Sequence, residues 1–233
     1  MIPMQFALRR RMMMAGGGGG APISDLPLGA LINVGTDGGE GAPNYEIADK
    51  DNLVSGGVVL VRKNMYSSSR FHDTGLNVSY PDSILDNLIK TTIYDQIPQK
   101  LRDKMMDVSF ALYSISLSAS ENITRKMFAL TYTMVGFGNN HGVAEGVALQ
   151  LYTSNASRLK QGDIHTHIWW LSSQDYYEDD DFHVNMEFAV NDMGASMSGT
   201  PMNDFGVVPA FVISSETPYD PTPNTDGSYN LIL

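Results

Sequence analysis

Two stretches restrict the fold more than anything else in the chain: the run DIHTHIWWLSSQDYY, with adjacent tryptophans at Trp169 and Trp170, and the later apolar return DFGVVPAFVISS. In the first, Asp163, His165, His167 and Trp169 fall on one side at period two, and Ile164, Ile168 and Trp170 on the other, which predicts a strand. Residues 207–213 are apolar on both faces, as expected of a strand buried between layers. Pro209 has no N–H to give to a ladder, so it must lie at an edge, a bulge or the start of its strand.

Around these runs the chain is ordinary in its apolar and charged content and long enough, at 233 residues, for one domain with a tail. No apolar run approaches the roughly 20 residues of a membrane span, so no membrane insertion is expected. There is no cysteine, which removes disulfides, thiolate zinc sites and cysteine nucleophiles. The net charge of −11 is uneven: Arg9, Arg10 and Arg11 stand in a leader without acids, leaving 12 basic against 26 acidic residues beyond it. Such an acidic body repels phosphate backbones and argues against nucleic acid as a partner.

Taken in order, residues 31–34 and 45–48 predict two short strands joined by a Gly- and Asp-rich turn, and GVVLVR at 57–62 a third. Ser79 or Asp82 is expected to cap a helix with Pro81 in its first turn and an apolar stripe of Ile84, Leu85, Leu88, Ile89 and Ile93. Pro98 opens a second, shorter helix with Leu101, Met105 and Met106 inward. Residues 108–117 and 127–135 predict strands separated by a polar hairpin or loop, NNHG at 139–142 a turn, and 146–157 a short helix. DYYEDDD at 175–181 reads as an acidic loop, followed by a strand with Phe182, Val184, Met186 and Phe188 alternating. Residues 193–203 read as an exposed, flexible loop, and YNLIL as a closing strand.

The double tryptophan with Leu171 and a polar pair, followed by GVVPAF at 206–211, resembles a family of uncharacterised domains found in bacteria and their tailed phages, whose usual signature is WWLRS or WWLRT and then GVRPA. The resemblance extends to GVVLVRKN at 57–64, the helical pair at 83–107, the strand at 127–136 and EGVALQLYTSNASRLK at 145–160, and covers nearly everything from about Leu31 onward. Ser172 and Val208 depart from it, standing where relatives usually carry arginine. The family is similar to the C-type-lectin-like fold. The resemblance therefore implies an α+β, C-type-lectin-like mixed domain with a twisted antiparallel sheet and two flanking helices over residues 23–233, behind an extended arm at 1–22. Trp169, Trp170, Arg158, Gly206 and Pro209 are its fold-defining positions, with Arg158 expected to brace loops through backbone carbonyls. Without cysteine, neither disulfides nor the chemistry of formylglycine-generating relatives of that fold is available.

No nucleophile elbow, phosphate loop or HExxH motif is present, so an enzyme is not expected. His165 and His167, with Asp163 or an acid of 175–181, have the residue types of a metal site, but packing or surface structure explains them as well, and no metal site is assigned. Calcium in the acidic loop is left open, since the spaced ligands and turn glycine of an EF-hand are missing. Gln174, Asp175, Tyr176, Tyr177, Asn185, Asn191 and Asp192 form the candidate ligand surface: aromatic faces for sugar rings, with amides and carboxylates to hold hydroxyls. The same aromatics equally suit closure of the core.

The leader MIPMQFALRRRMMMAGGGGGAP places its charge after a short apolar piece, unlike a secretory signal. It reads either as a disordered leader or as an anchor, with Phe6, Leu8, Met12, Met13 and Met14 filling grooves and Arg9, Arg10 and Arg11 pairing with acids, ahead of a glycine hinge. It also resembles leaders of phage structural proteins. The expectation that follows is a virion protein of head or tail, homo-oligomeric, anchored to other virion proteins by its arm and binding a host-surface glycan or protein. The alternative is a decoration or assembly protein that binds only other virion proteins.

Overall fold

The computed structural model describes residues 20–74, 78–115, 117–162, 167–179 and 182–233, with backbone only at 176–179 and 182–185. The anchoring residues Phe6 to Met14 therefore lie outside the described residues, as do Asp163 and His165. The architecture is α+β, mostly sheet with a few short helices.

A six-stranded sheet forms the centre. Its order is Tyr229–Asn230, Leu31–Asn33, Asn44–Lys50, Gly57–Arg62, Pro209–Ser214 and Met127–Ala129, antiparallel except for the parallel pairing of the first two. Every residue of Gly57–Arg62 is buried, and Pro209–Ser214 is buried up to Ile213, which is why both read as continuous apolar runs. Pro209 is the first residue of its strand, where its missing N–H costs nothing.

A second, five-stranded sheet runs Ser196–Gly199, Phe182–Val190, Trp169–Asp179, Phe205–Gly206 and Ser68–Ser69. Trp169 and Trp170 are both fully buried, and each indole N–H finds a carbonyl, Trp169 on Arg158 at 3.1 Å and Trp170 on Ser69 at 2.8 Å. The ring of Trp170 packs on Phe205 and Phe71, at 4.5 and 5.8 Å between centroids. Gly206 joins the sheets: it pairs with Trp169, and Pro209, three residues on, opens the strand next to the edge of the other sheet.

The helical segment is α at Ile84–Asn87, π at Leu88–Ile93 and α again at Tyr94–Gln96. Its fully buried residues, Leu85, Ile89, Ile93 and Ile97, recur every four positions, and a wider turn keeps that spacing on one face where a 3.6-residue turn would let it drift. The cap is Ser83, whose hydroxyl accepts the Asp86 N–H at 2.9 Å, rather than Ser79 or Asp82, because the chain first makes a 3-10 turn at Tyr80–Asp82. A second short helix, Gln99–Arg102, follows Pro98.

Four local expectations are corrected. The strand at 127–135 stops at Ala129, because the Thr131 hydroxyl accepts the Met134 N–H at 3.0 Å and that of Thr133 accepts the Glu145 N–H at 3.0 Å, drawing the chain into turns. Only Asn155–Arg158 of 146–157 is helical, since the N–H groups of Leu149 and Leu151 are given to Met134 and Ala48. Residues 175–179 continue the tryptophan strand into a hairpin with Phe182–Val190 instead of forming a loop. Within 193–203, Ser196–Gly199 adds an edge strand to that hairpin. At the other end of the chain, Ala21 and Pro22 pair with Tyr219 and Pro218, so they belong to the folded body.

Gly206 tests the joint between the sheets. A Cβ there would lie 2.1 Å from the sulfur of the fully buried Met65 and 3.1 Å from the Ile168 carbonyl oxygen. Gly206→Ala is expected to lower unfolding free energy by about 1–3 kcal/mol, read as a lowered urea midpoint with the m-value retained.

Candidate functional site

A surface concavity of about 380 Å³ is lined, among the described residues, by Glu40, Gly41, Asn64, Met65, Gln161, Gly162 and His167. Three loops meet there. Asn64 and Gln161 are bridged in parallel, and the Met65 N–H donates to the Gln161 carbonyl at 2.8 Å. The Glu40 N–H donates to Tyr66 at 3.0 Å. Met65 is fully buried, with its sulfur turned toward Gly206, while Glu40, Gln161 and His167 are exposed. Among the described residues, the side chains of Glu40, Asn64, Gln161 and His167 form no hydrogen bond or ion pair, so their polar capacity is unspent.

The wall is held from behind by Arg62. Its guanidinium is fully buried and uses all five N–H donors: Nε and Nη2 on the Asp37 carboxylate at 2.6 and 3.2 Å, Nη1 on the carbonyls of Asn64 and Met65, and Nη2 also on the carbonyl of Glu40 at 2.8 Å. Asp37, 1% exposed, also accepts the Tyr45 hydroxyl and the Gly39 N–H. Thus three of the cavity's residues are fixed by one buried cation. The Tyr45 hydroxyl titrates well above its ordinary range, because burial and the Asp37 carboxylate both oppose its ionisation.

The ligand surface expected from sequence is placed elsewhere. Gln174 is buried, with Oε1 accepting the Ile115 N–H at 3.1 Å and Nε2 donating to Val78 at 2.7 Å, so its amide is committed to the fold. Asp175 accepts the Ser198 hydroxyl. Asn191 spends its side chain on its own turn, accepting the N–H groups of Met193 and Ala195 at 2.9 and 3.0 Å, and Asp192 is exposed. Tyr176, Tyr177 and Asn185 lie on the hairpin backbone. His167 lies just before the eleven-residue tryptophan strand, whose far end is Asp179. At about 3.3 Å per residue the strand's ends are separated by roughly 35 Å, which sets Tyr176 and Tyr177 far from the cavity, whereas Asn191 and Asp192 follow Val190, the partner of Trp169, and lie at the His167 end without lining the cavity. Among the described residues, no group of three or more His, Asp or Glu side chains is arranged to hold a metal.

Other charged groups face inward. Arg158 donates to the carbonyls of Val135, Gly136 and Tyr152 and sits 4.4 Å above the Phe137 ring. Glu46 receives Lys160, Lys63 at 3.1 Å and the Tyr152 hydroxyl. Asp86 receives Arg125 through two bonds of 2.9 Å and Lys90 at 2.8 Å. Glu145 accepts the Tyr113 N–H at 2.9 Å, the Asn140 amide at 3.1 Å and the Ser173 hydroxyl, yet burial still raises its pKa.

Glu187 is the exception. It is fully buried, paired across the strands with Gln174 and Gly199, and neither carboxyl oxygen has a hydrogen-bond partner among the described residues. Burial pushes its pKa well up; the Gln174 amide, short of hydrogen-bonding geometry, pulls it down, and Asp175 and Glu145 raise it further. Ser172, two residues before Gln174, shares its face of the sheet. Ser172 is buried, with its hydroxyl between the carbonyls of Ala129 and Leu130 at 3.1 and 3.2 Å. Val208, the other departure, is 1% exposed and part of the apolar core.

The chain belongs to the family described as Domain of unknown function (DUF6273), whose model matches residues 55–215. That span takes in Asn64, Met65, Gln161, Gly162 and His167, while Glu40 and Gly41 precede it. No curated protein and no solved structure matches the chain.

Two measurements test the electrostatics. Arg62→Met leaves the Asp37 carboxylate buried without its cation and is expected to lose about 3–5 kcal/mol in chemical denaturation. Glu187 has a folded pKa above its unfolded value, so the folded state binds the extra proton, and stability falls as pH rises from the unfolded carboxyl range toward the folded pKa. Thermal midpoints between pH 4 and pH 8 are expected to decline less steeply in Glu187→Gln than in the wild type.

Proposed function

We propose that the protein is a bacteriophage virion structural protein whose domain, a variant of the C-type-lectin-like arrangement, recognises a host-surface ligand, with glycan as its class, and performs no chemistry on it. The observation that carries recognition over catalysis is where polar capacity is spent. The clusters at Arg62, Glu46, Asp86 and Glu145 are turned inward and partnered by the protein, whereas Glu40, Asn64, Gln161 and His167 surround an open cavity with their side chains unused. A catalytic site needs an acid, base or nucleophile poised against a second group; a recognition site needs convergent donors and acceptors left free for a ligand. The phage setting is supported by the tryptophan and GVVPAF signatures and by the basic, methionine-rich leader, which in this reading docks a homo-oligomer onto other virion proteins.

One observation favours the assembly reading. Ile232 and Leu233 are 42% and 38% exposed, beside two further concavities of about 180 and 290 Å³ that Leu233 lines, and Ile232 closes on Gly20. This corner suits a protein neighbour better than a sugar.

Deleting residues 1–19 leaves the Ala21–Pro22 pairing intact and separates the two readings. Incorporation into particles is expected to be lost while the purified domain still binds host cells. Loss of incorporation with no cell binding by either form leaves a decoration or assembly protein and removes the recognition claim.

A further inference from the structure

We infer that the cavity formed by Glu40, Asn64, Met65, Gln161 and His167 takes one neutral or amino-substituted sugar unit and discriminates against acidic ones. The inference rests on the recognition reading above and assigns its site and substrate class. The volume of about 380 Å³ falls toward the lower end of small-molecule sites, roughly 300–1,000 Å³. That suits a ring or two and not a long peptide.

The lining matches hydroxyl chemistry. Asn64 and Gln161 lie on bridged segments, and each amide offers both an acceptor oxygen and a donor nitrogen. Adjacent sugar hydroxyls, each giving and receiving, can use two such groups at once. His167 adds ring nitrogens, and Gly41 and Gly162 leave backbone open to close approach.

Charge sets the discrimination. Among the described lining residues Glu40 is the carboxylate, and the guanidinium of Arg62 lies behind the wall with every donor committed. A uronate, phosphate or sulfate would meet Glu40 without a lysine or arginine among the described lining residues to receive it, on a chain of net charge −11. An amino sugar would instead find Glu40 free of any ion pair among the described residues.

The test titrates the full chain with methyl glucoside, methyl galactoside, N-acetylglucosamine, glucosamine and glucuronate, followed by saturation-transfer NMR. At least one of the first four is expected to bind with a Kd of about 1 mM or tighter, and Asn64→Ala/Gln161→Ala to weaken it roughly tenfold with an unchanged thermal midpoint. Glucuronate is expected not to bind, and Glu40→Gln to weaken glucosamine selectively. The assignment is overturned if none of the first four binds, if glucuronate binds best, or if the double variant binds as the wild type does. Host-cell binding by the double variant separates the two levels. Cell binding retained at wild-type strength overturns the cavity assignment and leaves recognition to another surface; absence of cell binding by the wild type overturns the recognition reading itself.

Discussion

The contact on which this architecture most depends is the buried pairing of Arg62 with Asp37. Removing both charges from water is expensive, and mutual attraction offsets that cost only where the remaining hydrogen-bonding capacity is also satisfied. Here it is: the carboxylate takes the guanidinium, the Tyr45 hydroxyl and the Gly39 N–H, and the guanidinium takes three backbone carbonyls besides. The strand end at Arg62, the loop at 37–40 and the turn at 64–65 are therefore tied at one point. Glycine at 39 is part of that tie, because a Cβ would come within 2.4 Å of the Tyr66 ring and 2.8 Å of the guanidinium. A cavity wall built of loop backbone is thereby made as fixed as a sheet.

The other buried charges follow the same rule with different partners, and the departure from it is informative. Glu46 and Asp86 each gather two cations, and Arg158 gathers carbonyls. Glu187 gathers nothing, and carboxylates at Asp175 and Glu145 surround it with charge of its own sign. Such a group is tolerated in its protonated form.

The tryptophan strand separates two surfaces by its length. One end leads from the amide-lined cavity, the other into the acidic hairpin. A ligand held at the cavity would leave the hairpin free for a different contact, so recognition at one end and assembly contacts elsewhere are compatible on one domain.

Much of the fold was legible because its causes are local. GVVLVR is a strand by its own β-branched run, Pro209 was restricted to an edge, a bulge or a strand's start and takes the start, and Pro98 precedes a helix as expected. The stretches that misled were those whose partners are remote: the threonines at 131 and 133 bind the backbone around Glu145, and DYYED becomes a strand through pairing with residues 182–186. The cavity was invisible for the same reason. Glu40, Asn64 and Gln161 are unremarkable loop residues far apart in sequence, and Arg62 reads as the last residue of a strand. The amino-acid sequence by itself determined which runs must be buried, that no disulfide could staple them, and that the body would repel phosphate. Only the tertiary structure decided which polar groups are consumed and which are left unspent at the surface, because hydrogen bonds between distant segments are satisfied in space and leave no periodicity along the chain.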